Sequence, residues 1–305
     1  EYDYVNGEWK MKETQGWELE IEGDDENKEI VKSLDIKEEH AFLGVWDGPA
    51  AGSKGQLKKI SGTYKTWTVR MKNGHLPPYM GWMAYKYKLW MSMRYGIGTM
   101  TNDVEDSKHF LDKWDYETLN TLGFASTIKR GWRKLLPTFG GVGMFDFNTE
   151  QIIERLNLLL QHYQSGSAIG NKLDHSLALL QLQLGTNICP LDLNYDEWGI
   201  FAPVSWIKML WKTLQVSGFE VNLKYEVIKA PRNGDKLLME LAMSVCKDDE
   251  RMMSFSRVRG FLEAMFLSDI TTIDGKYIEE WAVMEGVYEN RSNLDYPKEQ
   301  PTKND

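Results

Sequence analysis

The sequence predicts a mainly α-helical protein with a small β-rich element at its N-terminus. Three observations predict it. Apolar residues recur at spacings of three and four along most of the chain beyond residue 53, Gly and Pro punctuate these runs, and period-2 alternation dominates only before residue 47. A length of 305 residues predicts two domains. Hydrophobic residues at 42 % and aromatics at 12 % supply an ample core and exclude a mainly disordered chain.

The β-rich element comes first. Tyr2–Val5 and Glu8–Lys12 flank Asn6-Gly7, a type I′ hairpin signal. Trp17–Glu22 alternates apolar and acidic residues and reads as a third strand, Asp24, Asp25 and Glu26 as an acidic turn, and Glu29–Leu34 as a short helix. Ala41–Trp46 reads as one buried strand ended by Asp47-Gly48-Pro49.

Then the period changes. Leu57, Ile60, Tyr64, Trp67 and Met71, spaced 3, 4, 3, 4, define one face of a helix that Gly74 caps. Lys54, Lys58, Lys65 and Lys72 fall within about 40° of one another, away from that stripe. Pro77-Pro78 opens a second helix from Tyr79 to about Tyr95, with apolar residues on every side, so burial on most faces is expected. Asn102 or Asp103 caps a third helix ending at Gly123. Ile128–Leu136 reads as a short basic helix stopped by Pro137, and Phe139–Gly143 as a tight loop.

In the C-terminal half, Thr149 caps a helix from Glu150 to Tyr163 with Ile152, Leu156, Leu159, Leu160 and Tyr163 inward. Further helices are expected at Ala168–Leu184, Pro203–Val216, Lys236–Cys246 and Phe255–Leu267. Glu220–Lys229 alternates like a strand, and Ile270–Ile273 and Lys276–Ile278 flank Asp274-Gly275 as a hairpin. The polar residues 296–305 read as a linker.

Charge divides the chain into three zones. Residues 1–47 hold 15 acids and 5 bases; residues 48–102 hold nine bases (Lys54, Lys58, Lys59, Lys65, Arg70, Lys72, Lys86, Lys88, Arg94) and no acid; residues 103–305 carry a net −8. A 55-residue stretch without a carboxylate attracts phosphate backbones; equally, it fits an acidic protein surface, including the segment beside it.

Signals for catalysis are weak. The five histidines are scattered, with no HExxH, so a metal site is not expected. Asp174-His175-Ser176 is consecutive, which sends three side chains in three directions on a helix. Gly140-Gly141-Val142-Gly143 lacks the Lys-Ser/Thr of a phosphate-gripping loop. Cys189 and Cys246 read as core thiols, and Asp24-Asp25 and Asp248-Asp249 as solvated surface charge. No window approaches 18 uninterrupted apolar residues and no signal peptide is evident, so an intracellular location with no membrane contact is expected. The first residue is Glu, which fits a piece of a longer product.

The order of segments resembles the region after the catalytic Asp-Asp motif in reverse transcriptases of non-LTR-like retroelements. The resemblance rests on Asn6-Gly7-Glu8-Trp9, Leu43-Gly44-Val45, Gly74-His75-Leu76, Leu89-Trp90, Arg94-Tyr95 and the Phe139–Gly143 turn. It continues through Gln161-His162-Tyr163, Ser176–Leu182, Ser205-Trp206, Leu210-Trp211 and Leu267-Ser268-Asp269-Ile270. It implies that residues 1–50 are the end of a palm, 51–164 a thumb-like helical domain and 165–295 a connection-like helical domain. The implied function is to grip a primer–template duplex within a longer RNA-directed DNA polymerase polyprotein. Lys54, Lys58, Lys65 and Lys72 would contact phosphates, with Arg70, Lys86, Lys88 and Arg94 assisting. The implied catalytic acids and their divalent metal belong to a palm before Glu1, so no catalytic residue and no cofactor is assigned to this chain. A helical protein–protein interaction module is the alternative.

Overall fold

A computed structural model describes Tyr2–Val5, Glu8–Met11, Glu18–Glu22, Lys28–Lys32 and residues 39–42, 45–47, 52–103, 110–225 and 227–282. The chain is mainly helical, with a small antiparallel β element at the N-terminus. Strands β1 (Tyr2–Val5) and β2 (Glu8–Met11) pair antiparallel with Val5 opposite Glu8, the register of a two-residue loop. Strands β3 (Glu18–Glu22) and β4 (Lys28–Lys32) pair with Glu18 opposite Lys32 and Glu22 opposite Lys28. Residues 29–32 of the helix expected at Glu29–Leu34 are therefore strand, and a cross-strand partner outweighs local propensity there. The expected single buried strand Ala41–Trp46 is instead a hairpin of β5 (His40–Phe42) and β6 (Val45–Asp47), in which Ala41 and Trp46 are exposed. The two turns Asn6-Gly7 and Asp24–Glu26 and the linker at 296–305 lie outside the described residues.

Helix α1 runs Lys54–Gly74. Gly74 stays helical, and the left-handed C-cap is His75 at φ 50°, steadied by a 2.8 Å contact of its Nδ1 with the Asn73 carbonyl. The second helix is composite: α2 (Pro78–Ala84), a π-helical segment Tyr85–Trp90, and α3 (Met91–Arg94). Its buried residues are Gly81, Tyr85, Leu89 and Met93, each four apart. In an unbroken α-helix such a series drifts about 40° per step. The wider π turn reverses the drift and keeps the stripe on the core.

Only Asp112–Thr118 of the expected third helix is a described α-helix (α4); a 3₁₀ turn continues it to Leu122, and Gly123 at φ 83° ends it. The start expected at Asn102 or Asp103 runs into residues outside the description. The short basic helix is α5, Arg130–Lys134. The Gly-rich loop folds back on it, with Val142 N–H donating to Trp132 O (2.9 Å) and Gly143 N–H to Leu135 O (2.9 Å). A Cβ at Gly141 would sit 2.0 Å from the Leu135 carbonyl oxygen, so glycine is required there.

Helix α6 spans Phe147–His162 and starts three residues earlier than expected, because Asp146 rather than Thr149 is the cap and accepts from Thr149 N at 3.2 Å. Its inward face is Phe147, Gln151, Arg155 and Leu159, while Leu160, expected inside, is 63 % exposed. Helix α7 is Ala168–Leu184, capped by Ser167 and closed by Gly185 at φ 68°, with Leu173, Leu177, Leu180 and Leu184 buried as their spacing predicts. After α8 (Tyr195–Trp198), α9 runs Trp206–Ser217 from a Ser205 cap. The strand expected at Glu220–Lys229 does not form among the described residues. Instead the segment packs Val221, Leu223 and Tyr225 on the second core. Helices α10 (Leu238–Val245) and α11 (Asp249–Phe261) follow, α11 beginning six residues before its expected start because Asp248 caps it, accepting from Arg251 N at 2.9 Å. The hairpin around Asp274-Gly275 reduces to one bridge, Thr271 opposite Ile278.

Two main cores result. The first gathers Ile60, Tyr64, Tyr85, Leu89, Met93, Leu119 and Phe145; the second gathers Leu159, Leu177, Leu180, Leu210, Trp211 and Met239. Helix α6 feeds both, through Phe147 and Leu159. Buried Arg155 pins the junction, donating to Thr213 Oγ1 (2.7 Å), Met100 O (2.8 Å) and Asn102 O (3.1 Å). The Trp206 indole adds a bond to Gly98 O at 2.7 Å.

Candidate nucleic-acid interface

The basic zone is built on α1 and the composite helix. Both bury an aromatic face, which leaves their lysines no place except the surface. Tyr64, Trp67 and Tyr85 meet at centroid distances of 5.7–6.3 Å in the first core, so Tyr64 and Trp67 pack as core rings rather than as stacking surfaces.

At the N-terminus of α1, Ser53 is not a side-chain cap; its hydroxyl instead accepts from Thr101 N at 2.8 Å. The capping oxygens come from Glu39, which accepts from Lys54 N (2.9 Å) and from Gly55 N. This positive helix end is thus occupied by a carboxylate of the chain itself and has no vacancy for a phosphate.

Lys54, Lys58, Lys65 and Lys72 are all exposed. They span about 27 Å along the helix at 1.5 Å per residue. Lys58 and Lys65 have no carboxylate at ion-pair distance among the described residues, whereas Lys72 pairs with Glu117 at 3.0 Å. The row lies on the flank of α1 that meets α4. On that side Ser61 accepts from the Trp114 indole at 3.0 Å and Thr68 bonds Thr118 at 2.9 Å.

The other four basic residues lie elsewhere. Arg70 is exposed about 160° round the axis from Lys54, on the flank where Gln56 reaches Tyr95 O at 3.3 Å. Arg94 is half-buried and bound to Glu150 (3.1 Å) and Glu154 (2.6 Å), so its charge is used inside the fold. Lys86 and Lys88 are exposed, with the Lys86 ammonium 5.4 Å from the Trp82 ring centroid. The basic helix α5 is likewise committed internally: Arg130 pairs with Asp112 at 2.9 Å, Arg133 is buried, and Lys134 pairs with Asp115.

The composite helix departs from expectation in a way that matters for binding. It is not buried on most faces. Tyr79, Met83, Tyr87, Met91 and Tyr95 are 62, 58, 73, 52 and 57 % exposed. They repeat every four residues, out of phase with the buried stripe. That double period of four was readable in the sequence; treating the segment as a regular α-helix scatters both stripes round the axis.

Other sequence signals resolve as structural. Ser176 donates back to Lys172 O at 2.7 Å and its neighbour His175 is exposed, so no triad assembles. Cys189 is buried and burial raises its thiol above the ordinary range, while Cys246 lies just past the end of α10. Asp248 is engaged as a helix cap rather than simply solvated, and Asp24-Asp25 falls outside the described residues. Among the described residues no group of three or more His, Cys, Asp or Glu could hold a metal, and no helix is long and apolar enough to cross a membrane.

No family model matches the chain, and no curated protein or solved structure is significantly similar to it.

Proposed function

We propose that this chain is a noncatalytic, nucleic-acid-gripping part of a reverse transcriptase-like protein, holding a primer–template duplex by its phosphates. The observation that carries the reading is the Lys54–Lys58–Lys65 row: exposed on one flank of a 21-residue helix, within a zone of the sequence that has no carboxylate. Phosphate contacts of this kind supply affinity and register without sequence specificity. The ordered motif series supports the thumb-like and connection-like assignment of the two helical parts. On this reading the partners are the duplex and the fingers and palm of the same polyprotein. The polymerase acids and their divalent metal reside in that palm, and the setting is intracellular.

The test is binding of a labelled RNA–DNA primer–template to the full chain at about 50 and 200 mM salt, for the wild type and for K54E/K58E/K65E. The wild type should weaken steeply with salt, with a logarithmic slope of roughly −0.9 per phosphate contact on a duplex. The triple variant should bind weaker and with a shallower slope by two to three contacts, on the order of 2–3 slope units. Unchanged affinity and slope in the variant would remove the row from the interface.

A further inference from the structure

The exposed stripe of the composite helix is not explained by a duplex grip. Tyr79, Met83, Tyr87, Met91 and Tyr95 form a continuous apolar line, each more than half exposed. Five large apolar side chains in a row exceed the scattered exposure normal for a soluble surface. The π segment Tyr85–Trp90 keeps them aligned, and such segments concentrate at functional positions. Exposed Lys86 and Lys88 precede and follow Tyr87 in the chain, so the flanks of the stripe carry cations at its middle. Arg70 is exposed on the flank of α1 that faces this helix, and residues 48–102 contain no carboxylate to repel an anion.

We infer that this stripe is a stacking platform for an unpaired nucleic-acid strand, with bases on the three tyrosine rings and phosphates on Lys86, Lys88 and Arg70. Aromatic rings interleaved with cations are the general solution to binding a single strand, because every base has a π face and every linkage a charge. The methionines between the rings supply soft apolar surface that adapts to whichever base lies there. Charge favours a polyanion over an apolar protein partner, since an apolar surface gains nothing from the exposed cations Lys86, Lys88 and Arg70. The inference rests on the reading of the basic zone as a nucleic-acid surface, and it adds a second, separate element for the unpaired template beyond the duplex.

The experiment uses the full chain and fluorescence anisotropy at about 50 mM salt, with a labelled single strand of about 20 nucleotides and a blunt RNA–DNA duplex. Y79A/Y87A/Y95A removes rings that are mostly in water, and circular dichroism confirms that each variant is folded. The triple alanine variant should lose about tenfold or more in single-strand affinity, with duplex affinity within about twofold. Y79F/Y87F/Y95F should retain single-strand binding, because stacking needs the ring and not the hydroxyl. Single-strand affinity unchanged in the alanine variant overturns the stripe; duplex binding that still falls in K54E/K58E/K65E leaves the row reading intact. Wild type that holds the strand but not the duplex sustains the stripe and overturns the row. Binding of neither overturns both. Tight binding of polyglutamate, lost in the alanine variant while the strand is not bound, overturns the choice of a nucleic acid.

Discussion

Tyr64 donates its phenolic proton to Asp115 across 2.7 Å, and neither residue has any exposed surface. This bond ties α1 to α4 inside the first core. The second Asp115 oxygen receives the Lys134 ammonium, which also donates to Phe145 O, and the Phe145 N–H donates to the Tyr85 hydroxyl at 2.9 Å. Five residues from five separate segments are thus tied together by one buried network. Burial pushes the Asp115 carboxyl above the usual carboxylate range, with Lys134 pulling against it. The phenols of Tyr64 and Tyr85 are pushed up by burial as well, so both remain neutral donors. The network sets the angle between the helices that carry the lysine row and the aromatic stripe.

Breaking this network from its two ends should have unequal effects. Y64F removes one bond to a carboxylate and should cost about 1.5–3 kcal/mol. K134M leaves a buried carboxylate without its cation and should cost about 3–5 kcal/mol. The pH dependence follows from the raised folded-state value of Asp115. Between its unfolded value near 4 and the higher folded value, the native state binds more protons than the unfolded state, so this group's contribution to stability falls as pH rises through that window. Without Lys134 the folded value rises further and the window widens. Urea melts at pH values from about 4 to 8 should therefore show K134M losing more stability with rising pH than the wild type. Parallel pH profiles would contradict the assigned pairing.

Glu39 holds the first turn of α1 from outside the helix. E39A removes both acceptors at the Lys54 and Gly55 amides and a negative charge at the positive helix end, and should cost about 1 kcal/mol. E39Q keeps one acceptor and should lie between. Hydrogen exchange at the amides of residues 54–57 reads the effect directly, with faster exchange expected there and little change at the C-terminal end of α1.

Arg155 joins the two cores, and burial lowers its guanidinium to about 10, with the Asp103 carboxylate pulling against that fall. It stays charged at neutral pH through two carbonyls and a hydroxyl. R155M relieves the buried charge and leaves three acceptors unpaired, for a net loss of about 2–4 kcal/mol. R155K cannot fan its donors in one plane to the same three acceptors and should also destabilise. Since Arg155 spans the junction, R155M should broaden or split the denaturation transition as well as shift it. A simple shift of a single sharp transition would mean that the cores remain coupled without it.

Much of the helical half was legible because local signals and packing agree there. Ser167, the 4, 3, 4 leucine spacing and Gly185 define α7 as it stands, and the Leu57–Met71 stripe does face the first core. The failures have specific physical causes. Lys28–Lys32 became a strand because of a partner ten residues upstream, which periodicity within a short window does not reveal. Asp146 and Asp248 displaced the expected helix starts because side-chain acceptors for the first-turn amides outweigh the apolar pattern in setting a boundary. Buried Gln151 and Arg155 on α6 ran against the apolar template, since their satisfaction depends on Asn102, Met100 and Thr213, all about fifty or more residues away. The exposure of the lysine row was legible from helix geometry alone. The commitment of Lys72 and Arg94 to Glu117, Glu150 and Glu154 was not, because those acids lie outside the basic zone.

The π segment offers the sharpest test of the composite helix. Its buried residues Gly81, Tyr85, Leu89 and Met93 are spaced 4, 4, 4, which the extra width of one π turn accommodates. Deleting exposed Lys88 converts the spacing to 4, 3, 4, the stripe of an ordinary α-helix, so the π turn should become an α turn while every buried residue keeps its place. That deletion should cost no more than about 2 kcal/mol. Deleting exposed Thr66 from α1 has no such outlet. It rotates the rest of that helix by about 100°, swinging Trp67 off the first core and Thr68 and Met71 out of their buried positions. Loss of a cooperative transition, or about 4 kcal/mol or more, is expected there. Thermal melts of the two deletions side by side decide the matter: equal damage from both would mean that the π turn is not the device that holds the two four-residue stripes in phase.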